Sequence, residues 1–398
     1  MIRTLALTLS LLTVATASAE EASWAPGAVV NGSPYQSLEE LRGFYKLTQA
    51  AKTSRKGAYG LSSSDLQLEF GPGSREMRIG GIQLLLGKPL QKDTAGNLLI
   101  AREDWVKWVD PILRPTYIAG RAPVHTVVLD AGHGGHDEGT PSDHLKESDI
   151  TLQMAQRLQH ELEKMGLKVV LTRTGDYFLS DRQRVDTANA AEAPIFISLH
   201  LNNGRSDYRG TQVYTAAPAE STAPSHASEA ASSALAYALQ SALVSGAGTA
   251  DGGCAEAHFS LLSSITCPSA WVELGYATHA QEGAALTTPA YQEALARALA
   301  SGIATYAKVA DPATGIPVQQ ARPAAPPKPA PPAPKPTAGK TNPAADTARS
   351  TRSSGSSRNT RRTPTRQQST PARQQSTSTR QQSTPARQQT TPARRTRR

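Results

Sequence analysis

Between residues 121 and 308 the apolar positions follow two alternating periods. Short β-branched-rich runs at Thr126 to Leu129, Lys168 to Thr172, Ile195 to Leu199, Gln212 to Tyr214 and Ala270 to Leu274 have the length of buried strands. Helical spacing fills the gaps. Ile150, Met154, Leu158, Leu162 and Met165 form one stripe, and Gly166 is placed to end it. Leu235, Leu239 and Leu243 recur every fourth residue, and Ala290 to Tyr306 has the pattern of a further helix. Strands alternating with helices predict an α/β fold, a mainly parallel sheet with helices on both faces.

Residues 20–120 predict a small α+β accessory domain ahead of that sheet. Leu38 to Thr48 has a helical pattern, Glu76 to Ile79 and Ile82 to Leu86 pair around the Gly80-Gly81 turn, and Asn97 to Ile100 is a further strand. Asp104 is placed to cap a short helix carrying Trp105 and Trp108. The segment has neither histidine nor cysteine, so no chemistry collects in it. Its G-G-I-Q…G-K-P-L…L-L-I run resembles the copper amine oxidase amino-terminal domain, which implies a non-catalytic docking module.

The two ends of the chain have other compositions. Residues 1–19 read as a secretory signal peptide: Arg3, an apolar stretch from Leu5 to Val14, and the small-residue site Ala17-Ser18-Ala19. That stretch is shorter than the ~20 residues a span requires, so no transmembrane segment is expected after processing. Export places the chain in the periplasm or outside the cell. Residues 309–398 turn Pro/Ala-rich and then repeat in sevens, with arginines at 366, 373, 380, 387 and 394 and no apolar seam, which predicts a disordered tail. From Ala321 onward 17 Lys and Arg face a single acid, Asp346, so the chain's +9 splits into +16 on the tail and −7 on the rest. The tail reads as a polycation for an anionic envelope polymer or surface. Nucleic acid has no rationale as a partner outside the cell. Cys254 and Cys267 lack C-x-x-C spacing and can form a disulfide after export or remain two small buried side chains.

Chemistry concentrates where strands end. All nine histidines lie between His125 and His279. His133 follows the first strand of the α/β region on the Gly-rich loop Asp130-Ala131-Gly132-His133-Gly134-Gly135, and His200 closes the run from Ile195. Glu147 opens the first helix of that region, and Glu273 sits near the end of the last strand. In open α/β sheets these ends share one rim, where ligands bind. Two neutral imidazoles and a carboxylate suit zinc with a fourth position left for water. An unligated carboxylate, Glu273, can then carry the proton, and Asp130 can orient a ligand imidazole. Arg173 and Arg182 can contact substrate carboxylates but read first as partners in structural salt bridges; His136, His144 and His279 read as loop residues.

Seven stretches in order across about 180 residues resemble the zinc-dependent N-acetylmuramoyl-L-alanine amidases. They are V-V-L-D-A-G-H-G-G-H-D-E-G (127–139), K-E-S-D-I-T-L (146–152), G-L-K-V-V-L-T-R-T-G-D (166–176), R-Q-R-V-D-T-A-N (182–189), I-F-I-S-L-H-L-N (195–202), G-T-Q-V-Y (210–214) and C-P-S-A-W-V-E-L-G-Y (267–276). The resemblance implies zinc on His133, Glu147 and His200, Glu273 as the catalytic carboxylate, and peptidoglycan as substrate, cut between N-acetylmuramic acid and L-alanine. One departure is Ala277-Thr278-His279, where the family often has Asn shortly after the last strand. Another is the modest loop 216–224, where some relatives insert a blocking helix. Two rival readings stand beside it: a silent peptidoglycan-binding or activator protein, against which the complete ligand set argues, and a zinc peptidase acting within stem peptides.

Overall fold

The computed structural model describes residues 28–310 apart from 51–52, 55–56, 65, 72, 119–120, 142–144 and 218–226. The expected signal peptide, the basic tail beyond 310, His144 and most of the 216–224 loop therefore lie outside the described residues. The first part runs β1 (Ala28–Val30), β2 (Ser33–Ser37), α1 (Leu38–Phe44), β3 (Thr48–Gln49), β4 (Tyr59–Ser62), β5 (Gln67–Phe70), β6 (Glu76–Ile79), β7 (Ile82–Leu85), β8 (Gln91–Lys92) and β9 (Leu98–Ala101). A continuous helical segment follows, with α2 (Arg102–Asp104) and α3 (Asp110–Leu113) flanking a π-helical turn, Trp105–Val109.

The second part begins β10 (Thr126–Ala131), α4 (Glu147–Lys164), β11 (Lys168–Leu171), α5 (Asp181–Ala190), β12 (Ile195–Asn202) and β13 (Thr211–Ala216). It continues with α6 (Ala227–Ala242), β14 (Asp251–Ala257), α7 (Ser260–Ser263), β15 (Ser269–Tyr276), α8 (Ala280–Leu286) and α9 (Pro289–Ala310).

Strands β11, β10, β12 and β15 are mutually parallel in that order, and β13 joins β15 antiparallel. Alternation along each strand divides the burial. Val127, Leu129, Ile197 and Val272 join the large core under α4, α6 and α9, whereas Val128 and Phe196 pack toward α5 and α7. Two-sided burial of this kind is what βαβ crossovers enforce. Beyond β13 the sheet continues through β14 to β7 and the antiparallel β6 to β3, eleven strands in all, so β3 to β7 of the first part extend the same sheet while β1, β2, β9 and β8 form a separate four-stranded one. Asp251 stitches the seam: one oxygen accepts the Gln83 amide at 2.8 Å and pairs with Arg78 at 3.3 Å. Leu68, Phe70, Ile79, Leu84 and Trp108 share the large core with β10 and β12.

Three local expectations change. Helix α1 stops at Phe44 because Lys46 turns left-handed at φ 53°. Met165 falls past the end of α4, where Gly166 at φ 82° reverses the chain, and is exposed. Asp104 does not cap; it lies inside the helical run, buried, with its carboxylate accepting the backbone N–H groups of Gly87 and Lys88. Cys254 and Cys267 are both free thiols.

Candidate metal centre

Three donor side chains from three separate segments converge at the C-terminal rim of the parallel strands. His133 lies two residues beyond β10, Glu147 is the first residue of α4, and His200 is near the end of β12. His133 Nε2, Glu147 Oε1 and His200 Nδ1 form a triangle with every edge 3.2 Å. Ligand atoms held tetrahedrally at about 2.0–2.1 Å from zinc stand ~3.3 Å apart, so the donor set and its spacing fit that ion.

The backbone is bent to reach this arrangement. His133 takes φ 61°, uncommon for a residue with a Cβ, and Gly134 and Gly135 follow at 131° and 62°. Two buried guanidiniums hold the loop by its carbonyls: Arg173 donates to Gly132 O at 2.8 Å and Arg184 to His133 O at 2.8 Å. Glu147 is clamped by the amides of Thr140 (2.7 Å) and Leu201 (2.8 Å), and its place at a helix N-terminus favours the ionised form.

The electrostatics suit a cation. Burial works against the Glu147 carboxylate, yet hydrogen bonds and charge from His133 and His200 hold it well below the usual carboxylate range. Burial also works against charge on His133, but Glu147 and Asp137 outweigh it and raise the imidazole to about 8. A proton there stands in for the positive charge that a metal would bring. His200 is pushed down by its burial and so stays neutral, the form in which imidazole binds metal.

Glu273 completes the group. It is the register partner of His200 across the β12–β15 ladder, so both side chains leave the same face. Its Oε1 accepts Trp271 Nε1–H at 2.8 Å, while Oε2 is buried without a hydrogen-bond partner among the described residues. Burial raises this carboxyl to about 7, with the Glu147 charge adding to the effect.

Asp130 has a different role from the one expected. Rather than orienting a ring, it is fully buried and accepts Thr172 Oγ1, Ser198 Oγ and Arg184 Nη1, each at 2.6 Å. The carboxylate on one of the two converging imidazoles is Asp137, whose Oδ2 lies 2.8 Å from His133 Nδ1. Its signal was the acid four residues after His133, on a loop short enough to fold back. Arg173 makes no ion pair among the described residues and instead grips four carbonyls; Arg182 is exposed beside Asp186. His136 lies against Phe178, and His279 caps α8 by accepting the Glu282 amide at 3.1 Å. In the run that departs from the family, Thr278 Oγ1 accepts the Gly204 amide at 3.1 Å.

The N-acetylmuramoyl-L-alanine amidase family model matches residues 127–305. The uncharacterized protein YqiI of Bacillus subtilis (strain 168) is 35% identical over 181 residues, covering 46% of this chain and 84% of that protein. The chain belongs to the N-acetylmuramoyl-L-alanine amidase family. The N-acetylmuramoyl-L-alanine amidase LytC of the same organism is 31% identical over 182 residues, 46% of this chain and 35% of LytC. The catalytic domain of CwlV, N-acetylmuramoyl-L-alanine amidase from Bacillus (Paenibacillus) polymyxa var. colistinus, aligns at 32% identity and a TM-score of 0.42, covering 46% of this chain and 98% of its own. The amidase match leaves residues 28–126 outside it, although strands β3 to β7 among them run into the same sheet. No helix among the described residues of this amidase-family chain is long and apolar enough to cross a membrane.

Proposed function

We infer that the chain is an N-acetylmuramoyl-L-alanine amidase acting on peptidoglycan, and we propose zinc as its metal. One observation carries the reading: three donor atoms 3.2 Å apart stand beside a buried carboxylate with one oxygen unpartnered among the described residues. His133, Glu147 and His200 would hold the ion. Bound there, zinc would supply Lewis acidity toward the scissile carbonyl and toward water.

The remaining chemistry belongs to Glu273. Its unpartnered Oε2 accepts a proton from the attacking water as oxygen bonds to the lactyl carbonyl carbon. The same oxygen returns that proton to the alanine nitrogen as the C–N bond breaks, leaving a free amine and a lactyl carboxylic acid, which releases its proton to solvent as the carboxylate. Trp271 keeps Oε1 occupied meanwhile, so one oxygen alone takes part. Export through residues 1–19 would deliver the enzyme to the periplasm or beyond. There the basic tail would hold it against an anionic envelope polymer, and residues 28–117 would act as an accessory part fixed to the catalytic sheet.

Mass spectrometry of products from purified peptidoglycan tests the reading. The expected products are stem peptides with a free N-terminal L-alanine and glycans with intact lactyl carboxylates. Cuts confined to the stem peptides would make the chain a peptidase, and binding without products would make it a silent adaptor.

A further inference from the structure

We propose that Trp271 is a positioning residue that fixes the metal-side imidazole and the proton-carrying carboxylate with a single ring; the assignment rests on the zinc amidase reading above. Trp271 lies two residues before Glu273 on β15, so the two side chains share a face, and the indole leans along the strand to the diagonal neighbour His200. Its ring is stacked on the His200 imidazole with centroids 3.6 Å apart and planes 7° from parallel. From its edge, Nε1–H donates to Glu273 Oε1 at 2.8 Å. On its other face Phe259 is stacked at 4.2 Å and 16°, and Tyr214 meets Phe259 edge-on at 5.6 Å. The indole therefore cannot turn without displacing an aromatic column. On the opposite side of His200, Gly132 leaves no room, since a Cβ there would lie 2.1 Å from Cε1.

Two separable consequences follow from one side chain. The stacked face sets the plane of the His200 ring, and so the direction of its Nδ1 lone pair. The N–H sets which oxygen of Glu273 is engaged and which is free. An aromatic ring without an N–H keeps the first and loses the second; an aliphatic chain loses both.

The test compares Trp271→Phe and Trp271→Leu with the parent full-length chain. Zinc affinity is measured by competition with a chromogenic chelator, and turnover on purified peptidoglycan is split into kcat and KM. Trp271→Phe is expected to bind zinc within about threefold of the parent while kcat falls ~10-fold and KM stays unchanged. Trp271→Leu is expected to lose kcat as far and also to bind zinc about 10–100-fold more weakly, the usual consequence of removing support around a metal ligand. A melting curve for each variant separates these losses from unfolding. Parent-like kcat in Trp271→Phe, or parent-like zinc affinity in folded Trp271→Leu, overturns the assignment. A parent chain that takes up no zinc refutes the amidase reading and this assignment together; a working parent matched by both variants refutes Trp271 alone.

Discussion

His133 Nδ1 and Asp137 Oδ2 lie 2.8 Å apart, four residues from each other on the loop after β10, with Nε2 of the same ring turned into the donor triangle. A carboxylate on the far nitrogen fixes the tautomer and makes the near nitrogen a better donor to a cation. Asp137→Ala should weaken zinc binding about 10–100-fold, and Asp137→Asn, which keeps an acceptor but no charge, should fall between. Chelator competition on the two variants checks the order. Equal affinities in the parent and Asp137→Ala would show that the loop backbone alone orients His133.

Glu273 predicts the acid limb of activity. Burial raises it to about 7 in the metal-free chain, and a divalent cation beside it lowers that value. A base works only when deprotonated, so kcat/KM should rise with pH through a midpoint at or below about 7. Glu273→Gln should retain zinc, lose roughly 10²–10⁴ in kcat and flatten that limb in whatever activity survives. A limb of unaltered position in Glu273→Gln would belong to another group.

Gly132 is held to glycine by the neighbouring ring and not by its own backbone, which has no left-handed φ. A methyl group at 132 would overlap the His200 imidazole. Gly132→Ala should therefore displace His200 and abolish stoichiometric zinc uptake. The cost in stability should be only the ~1–3 kcal/mol typical of overpacking. Metal analysis paired with a denaturation curve distinguishes this from general unfolding; full zinc content in the variant would mean the ring has slack.

The tail's charge gives a prediction independent of the metal. Removing residues 321–398 takes away 17 basic groups and one acid, turning the remaining chain net negative. Adhesion of the enzyme to anionic envelope fractions should drop on deletion, and in the intact chain it should weaken as added salt shortens the screening length. A sedimentation assay across a salt series reads both effects. Adhesion that survives the deletion would place the binding surface on the folded part.

How much of this was legible follows from what each signal depends on. Strands β10, β11, β12, β13 and β15 and helices α4, α6 and α9 were readable because burial writes period and length directly into the sequence, as Val127 to Leu129 and Ile195 to Leu199 do. The rim residues were readable because strand ends are readable. Asp130 misled for a physical reason. An acid next to a Gly-rich loop gives no hint which way its chain points, and here the pleat turns it into the interior with Ser198. The seam between β7 and β14 was hidden as well. Joining distant strands depends on edge complementarity, and Asp251-Gly252-Gly253 has no strand propensity to announce it.

That interior acid supports the last prediction. Asp130 is wholly buried and its one full positive partner among the described residues is Arg184, which is itself nearly buried and also donates to Ala131 O at 2.7 Å and His133 O at 2.8 Å. Arg184→Met leaves a carboxylate in the interior with only two hydroxyls, a loss of about 3–5 kcal/mol when one partner of a buried pair is removed. Replacing both, as Asp130→Asn with Arg184→Met, removes the stranded charge and should recover a large part of that loss. The carbonyl of His133 stays unheld in both variants, so zinc affinity should remain depressed in the double variant even where stability returns. Urea denaturation and chelator competition on the parent and these two variants separate the two effects. Stability and zinc affinity recovering together would reduce Arg184 to a counter-ion with no part in shaping the loop.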